Sequence, residues 1–313
     1  MAPINTIVFG ATGGVGSFAA RTAQSKGAKV FLAMRDTSKP IPGLDSEEEQ
    51  KNGFERVQAD LTEPETLRAA VQKTQAKRAF FYLVFGAPDH MRSSIVALKE
   101  SGVEFVVFLS SYSVQGDVAA IPPSNFIAWQ HAQVEIVLEE VFGQGGYVAV
   151  RPWAFASNIL WYKGMIQAGE VKIPYPEAYF DYIAPKDIGT VCGMVLAKGF
   201  EYVKEKGGNQ VITLCGPEMN SQGDTVRMIG RVLGKDIKVT ALSEEEGVQF
   251  FMEISHLPES AARHFISELK NRDESIANDP EYLKGAANVK VYTERGPTSV
   301  QEWVEENKEK ILA

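Results

Sequence analysis

Ile4-Asn5-Thr6-Ile7-Val8-Phe9-Gly10-Ala11-Thr12-Gly13-Gly14-Val15-Gly16 runs an apolar strand into a glycine-rich turn and then into a helix over Ser17–Lys26. A dinucleotide pyrophosphate needs that succession. Gly10 permits a tight turn out of the strand, Gly13 lets the backbone approach the phosphates, and Gly16 lets the helix pack close to the sheet. The helix N-terminus offers free N–H groups to the anion. Thr12, Gly14 and Val15 complete the loop that would hold the cofactor. The spacing Gly-x-x-Gly-x-x-Gly is one residue longer in its first gap than the best-known fingerprint. Glycines also mark ordinary turns, so the flanking strand and helix carry the argument.

Working outward, the first half of the chain alternates strands and helices. Strands are expected at 4–9, 28–34, 54–58, 78–85, 104–110 and 146–151, with helices at 14–26, 64–74, 89–101 and 126–142. The strands Ala28–Met34 and Phe80–Phe85 are nearly continuous apolar runs, as in parallel strands buried on both faces. Such repetition predicts an α/β fold, a Rossmann-type doubly wound parallel sheet with right-handed crossovers. After Arg151 the alternation weakens. Short strands are expected near 171–173, 181–184, 210–214, 237–241 and 288–292, and helices near 186–198, 222–233, 243–253, 259–270 and 298–311. This predicts a nucleotide-binding domain over 1–152 plus about 184–215, and a smaller α+β substrate lobe from about 153–183 and 216–313. The loop Ser38–Asn52, with its acidic run Asp45–Glu49, reads as a mobile solvated surface.

Composition narrows the partners. A chain of 313 residues can bury a substantial core, and a formal charge of −8 argues against nucleic acid or an anionic membrane surface. No run approaches the ~20 apolar residues of a membrane span, and the start of the chain lacks a targeting pattern. Cys192 and Cys215 have no metal-ligand spacing and read as reduced thiols in a cytoplasmic protein; no metal site is expected.

The cofactor is read at the ends of the strands. Strand 28–34 ends in Met34-Arg35-Asp36. An acid there takes the ribose hydroxyls of NAD(H), whereas an arginine accommodates the 2′-phosphate of NADP(H). Arg35 comes first and its planar fork suits a phosphate, so NADP(H) is favoured over NAD(H). Asp60, followed by Leu61, either faces the adenine amino group or caps the next helix. Phe85 and Gly86 leave the fourth strand beside the cofactor, where Gly86 either admits the ribose or simply turns the chain.

Together these features resemble the NmrA-like family of atypical short-chain dehydrogenase/reductases. The likeness runs through Val57-Gln58-Ala59-Asp60-Leu61, Phe108-Leu109-Ser110-Ser111, Arg151-Pro152-Trp153-Ala154-Phe155-x-x-Asn158, Ile183–Gly189 and Arg295–Trp303, nearly the whole chain. It implies a Rossmann-type domain, an NADP-class cofactor and a pocket between two lobes. Arg151–Phe155 would then line the nicotinamide end through backbone contacts, with Ser110, Pro152, Trp153 and Phe155 among the cofactor-binding residues. Reductases of the wider superfamily carry a Tyr-x-x-x-Lys pair on the helix after the fifth strand. Here that helix reads Phe126-Ile127-Ala128-Trp129-Gln130-His131, with phenylalanine and glutamine where the pair would stand. Tyr182–Lys186 and Tyr202–Lys206 match the spacing by chance.

Many members have a lysine where this chain has His131. His131, Tyr112 and Ser111 are therefore the candidate proton donors; equally, His131 is a helix histidine hydrogen-bonded within the structure and Tyr112 forms an aromatic wall. The aromatic stretch 153–182 supplies candidate substrate walls in Tyr112, Trp153, Phe155, Trp161, Tyr179 and Tyr182, with Asn158 offering an amide. The alternative is that these aromatics form the small lobe's own core. The leading functional expectation is an NADPH-dependent reductase of a bulky, hydrophobic aromatic or alkaloid-like carbonyl, imine or conjugated alkene in secondary metabolism. An imine accepts hydride without a strong acid. The alternatives are an NADP(H)-dependent cyclase or isomerase, and a non-catalytic NADP(H)-sensing protein, the one reading that needs a protein partner.

Overall fold

The computed structural model describes residues 2–313. Among these, eleven strands run in chain order: β1 (Asn5–Phe9), β2 (Lys29–Met34), β3 (Glu55–Gln58), β4 (Arg78–Tyr82), β5 (Phe105–Leu109), β6 (Tyr147–Pro152), β7 (Glu170–Pro174), β8 (Tyr179–Phe180), β9 (Val211–Leu214), β10 (Asn220–Ser221) and β11 (Lys238–Leu242). The first seven helices are α1 (Gly14–Ser25), α2 (Ser46–Lys51), α3 (Pro64–Thr74), α4 (Arg92–Glu100), α5 (Phe126–Phe142), α6 (Lys163–Ala168) and α7 (Pro185–Lys198). They are followed by α8 (Phe200–Glu205), α9 (Gln222–Leu233), α10 (Glu244–Ser255), α11 (Glu259–Leu269), α12 (Pro280–Thr293), α13 (Val300–Glu306) and α14 (Lys308–Leu312).

Seven strands form one parallel sheet in the order β3-β2-β1-β4-β5-β6-β9, the doubly wound arrangement expected. Its topological switch point lies between β1 and β4, where ligands of such sheets bind. Alternation along β1 divides the core: Val8 joins the cluster of α1, α7 and α12, while Ile7 and Phe9 join that of α3, α4 and α5. The smaller lobe has its own core, built from β7, β8, α9, α10, α11 and α13. Two two-stranded ribbons, antiparallel β8–β10 and parallel β7–β11, complete it.

The helix that carries the glycine loop is held from behind. A Cβ on Gly189 of α7 would meet Val15 O of α1 at 2.4 Å, and one on Gly193 would meet Ala19 O at 2.5 Å. Two glycines four apart thus let α7 lie backbone to backbone against α1. Asp187 sits inside the first turn of α7. Its fully buried carboxylate accepts from Thr298 N (2.6 Å) and Arg295 Nη2 (2.8 Å), tying α7 to the segment before α13.

Several local expectations are corrected. The stretch 288–292 is helical, not a strand. Asp279 caps α12 by accepting from Glu281 N (2.7 Å), Pro280 occupies its first turn, and Val289 and Tyr292 are buried at helical spacing. That tertiary face overrides the β-branched composition. Residues 181–184 form no strand beyond a single bridge of Ile183 to Phe155; the pairing falls on β8. The final helix is broken at Asn307 into α13 and α14. Within the loop 38–52, Asp45 and Glu48 form a capping box that starts α2, and buried Glu49 ion-pairs with Arg56. The acidic run is a capped helix. Among the described residues, no helix is long and apolar enough to cross a membrane.

Candidate cofactor and substrate site

At the switch point a cavity of about 370 Å³ opens between the β1–α1 turn and the ends of β2, β3 and β4. It is lined by Gly10, Thr12, Arg35, Asp60, Leu61 and Phe85 from the sequence reading, and by Met34, Asp36, Lys39, Thr62, Tyr82 and Val84. The loop geometry suits a pyrophosphate. Gly10 lies at φ +72° and its carbonyl accepts from Gly13 N at 2.9 Å, which closes the turn. Gly13 is the N-cap of α1 and gives no side-chain cap, so the first N–H groups of the helix stay open to an anion. Gly14 and Val15 form the first turn: a Cβ on Gly14 would touch Pro185, and Val15 is buried. A Cβ on Gly16 would stand 2.2 Å from Gly10 O.

Charged side chains stand at the far end of the cavity. The Asp36 carboxylate accepts from Ser38 N (2.9 Å) and Ser38 Oγ (2.6 Å), and those bonds hold it below the usual carboxylate range. It caps its own turn. Arg35 and Lys39 make no ion pair among the described residues, leaving two cations at the cavity mouth. Asp60 likewise caps a turn, accepting from Thr62 N (2.9 Å) and Thr62 Oγ1 (2.8 Å), although it also lines the cavity. Gly86 has φ +77° with no neighbour within 4 Å of a Cβ, the geometry of a turn. Lys39 escaped the sequence reading because its loop looked like solvated surface. Tyr82 did so because it lies within an apolar run, yet it is 39 % exposed and lies against Gly10.

Outside the ends of β5 and β6, where the nicotinamide end is expected, lies one buried network. The Glu135 carboxylate on α5 accepts from Ser110 Oγ (2.5 Å) and from Arg151 Nε (3.0 Å) and Nη2 (2.5 Å). Arg151 Nη1 donates to Val114 O at 2.8 Å. The ends of β5 and β6, the loop after β5 and α5 are thereby locked together. Ser110 and Pro152 are consequently buried framework of this end.

The three expected proton donors are differently disposed. His131 is buried, and its Nδ1 lies 2.8 Å from Ile127 O. A carbonyl only accepts, so Nδ1 carries the proton and Nε2 is a bare acceptor. Burial lowers the His131 pKa to about 4, leaving a neutral ring at pH 7 that can orient a hydroxyl but has no proton at Nε2 to give. In the unfolded chain histidine titrates near ~6.5, so the native state binds fewer protons between pH 6.5 and 4. Stability should therefore fall by roughly 3 kcal/mol as pH drops through that window. Urea unfolding at pH 7 and 4.5 checks this: His131→Gln should flatten the slope, and an unchanged slope refutes the assignment.

Tyr112 stacks on Trp153 with ring centroids 4.5 Å apart at 13°, and burial raises its phenol pKa. Ser111 Oγ is engaged with Ser113 Oγ at 2.8 Å. Of the expected substrate walls, Tyr182 is buried in the small lobe's core, its phenol raised by burial, and belongs to the folding of that lobe. Phe155 packs against the core beside α7, and Asn158 N donates to Phe155 O at 3.0 Å. Tyr112, Trp153 and Tyr179 are half-buried, and Trp161 is 38 % exposed. Phe85, 54 % exposed, meets His131 edge-on at 5.7 Å and lies near parallel to Phe126, linking the cavity to α5.

Comparison with known proteins follows the same lines. The model of the NmrA-like family matches residues 5–304. The chain is 36 % identical over 316 residues to the nitrogen metabolite regulation-like protein bik4 of Gibberella fujikuroi, covering 95 % of this chain and 94 % of that one. It is 28 % identical over 222 residues to festuclavine synthase I of Penicillium roqueforti, covering 66 % and 70 % of the two chains. Among solved structures, the NADPH-dependent quinone oxidoreductase QOR2 of Escherichia coli, complexed with NADPH, superposes with a TM-score of 0.71 at 17 % identity, over 96 % of this chain and 99 % of that one.

Proposed function

The chain belongs to the NmrA-like family of atypical short-chain dehydrogenase/reductases, and from that premise we propose that it binds NADP(H) and reduces a bulky aromatic or alkaloid-like electrophile. One observation carries the cofactor assignment: Arg35 and Lys39 flank the switch-point cavity as unpaired cations, while Asp36 is occupied by Ser38. Two cations complement a 2′-phosphate, and an acid already bonded in its own turn is a poor partner for a ribose diol. When bound, the cofactor supplies a hydride. The chain's part is to grip the phosphates at the open N-terminus of α1 and to hold the strand ends rigid through Glu135 and Arg151. With His131 neutral and no Tyr-x-x-x-Lys pair on α5, the site suits an imine, iminium or conjugated alkene, which needs little help from an acid. The name of the Penicillium roqueforti relative, a synthase, supports a catalytic role, and Cys192 and Cys215, both buried and free, fit a cytoplasmic protein.

Calorimetry with NADPH and NADH tests the assignment. The wild-type protein should prefer NADPH, and Arg35→Ala with Lys39→Ala should weaken NADPH by about 10- to 100-fold while leaving NADH unchanged, the effect of losing charge-assisted hydrogen bonds. Equal affinity for both forms in the wild-type protein would refute it. Turnover is then followed by NADPH absorbance with aromatic imines.

A second reading has its own support. The Trp153 indole is stacked on Tyr112 and has the Arg272 guanidinium 5.6 Å from its ring centre. A tryptophan already engaged by the protein's own side chains suits an NADP(H)-sensing protein, as does the name of the Gibberella fujikuroi relative. Tight NADP(H) binding without turnover, together with a partner whose capture depends on occupancy, would select that reading.

A further inference from the structure

Arg272 is the unexplained charged group beside Trp153, at the end of β6. It follows α11, its carbonyl accepts from Tyr179 N at 2.9 Å, and its side chain is only 14 % exposed. The guanidinium lies 4.8 Å from the ring centre of Phe180, 5.4 Å from Phe265 and 5.6 Å from Trp153. Among the described residues its only polar side-chain contact is with Glu268, Nη2 to Oε2 at 3.5 Å. That is well beyond the ~2.7–2.9 Å of a charge-assisted hydrogen bond. Buried Asp181 does not fill the gap, because its oxygens accept from Ala154 N (2.9 Å) and Gly216 N (2.8 Å) and it forms no ion pair with Arg272. Aromatic faces stabilise a cation but satisfy none of its N–H donors. The side chain is not sealed, at 14 % exposed, so the donors that no protein group takes stay open to a ligand from solvent.

The location supplies the function. Trp153 directly follows the end of β6, and Tyr112, stacked on it, follows the end of β5 by three residues. Arg272 therefore stands beside the carboxyl ends of β5 and β6, the side of such a sheet on which ligands bind. We propose that Arg272 is a specificity-determining residue that takes the carboxylate of an aromatic acid substrate in a two-bond grip, with the substrate ring lying against the Tyr112–Trp153 pair. The inference rests on the reductase reading, since it places the substrate beside the cofactor. It deepens that reading by making the substrate an anion, which the chain's net charge of −8 would otherwise disfavour. The planar guanidinium matches a carboxylate in a way that lysine does not.

The test uses the full chain saturated with NADP+, with 2-naphthoate and its uncharged counterpart 2-naphthamide as probes, read by calorimetry and by tryptophan fluorescence. The affinity for NADP+ is measured first; failure there counts against the reductase reading and is separate from failure at Arg272. With NADP+ bound, 2-naphthoate should bind at least about tenfold more tightly than 2-naphthamide, the least expected of a charge-assisted pair. Arg272→Met should remove that difference without changing the affinity for 2-naphthamide or NADP+. Arg272→Lys, which keeps the charge and guards against a folding defect in the first variant, should retain only part of it. Equal binding of the two probes by the wild-type protein, binding of neither, or full discrimination in Arg272→Met overturns the proposal.

Discussion

Glu135→Ala is expected to destabilise the fold by about 3–5 kcal/mol, the usual effect of stranding one member of a buried ion pair. Glu135 and Arg151 are both nearly inaccessible, and the arginine presents two of its nitrogens to the carboxylate. Removing the acid leaves a guanidinium with one remaining bond, to Val114 O, in surroundings that cannot solvate it. Ser110 Oγ loses its acceptor in the same step, so the end of β5 should loosen along with α5. Denaturant unfolding at pH 7 measures the loss. Replacing both residues with leucine should cost less than Glu135→Ala alone, because no unpaired charge remains. An unfolding midpoint unchanged in Glu135→Ala would show that this network does not hold the nicotinamide end together.

The second large effect is expected at Gly16. The Cβ of alanine there would lie 2.2 Å from Gly10 O and 2.6 Å from Gly10 C, both backbone atoms. Neither has room to retreat, since the same carbonyl closes the turn on Gly13 N. Gly16→Ala must therefore push α1 away from the sheet, at a cost of about 1–3 kcal/mol for overpacking. Because the phosphate-facing N–H groups move with the helix, NADPH affinity should fall by about a hundredfold, equivalent to roughly 3 kcal/mol. Gly164→Ala is the control: it lies in α6 with no atom near a Cβ, and alanine there should be neutral or stabilise by up to about 1 kcal/mol. Unaltered NADPH binding in Gly16→Ala would mean that the cofactor does not sit on this turn.

Not all of the molecule was equally legible. The parallel sheet announced itself because strands buried on both faces must be apolar throughout, and the glycine loop because a tight turn and a close helix tolerate no side chain. Elements whose composition conflicted with their packing were harder. Asn288–Tyr292 looked like a strand, yet the face carrying Val289 and Tyr292 packs as helix. The run Asp45–Glu49 looked like bare surface until its capping box and the Glu49–Arg56 pair were seen.

The site divides along the same line. Arg35 could be proposed from its place after β2, because position along a Rossmann sheet correlates with cofactor contact. That Asp36 is spent on Ser38 and that Lys39 joins Arg35 depend on how the loop turns, which residue types do not specify. His131 shows the difference most directly. Its identity suggests a proton donor, but its burial and the carbonyl of Ile127 make it a neutral acceptor. Local order along the chain was enough to establish the fold, the turn and the family, since each follows from periodicity and from glycines in fixed succession. Which charges are free, which aromatics face the crevice and which way a proton points were decided by residues far apart in the chain, because burial and hydrogen-bond partners exist only once the two lobes have packed.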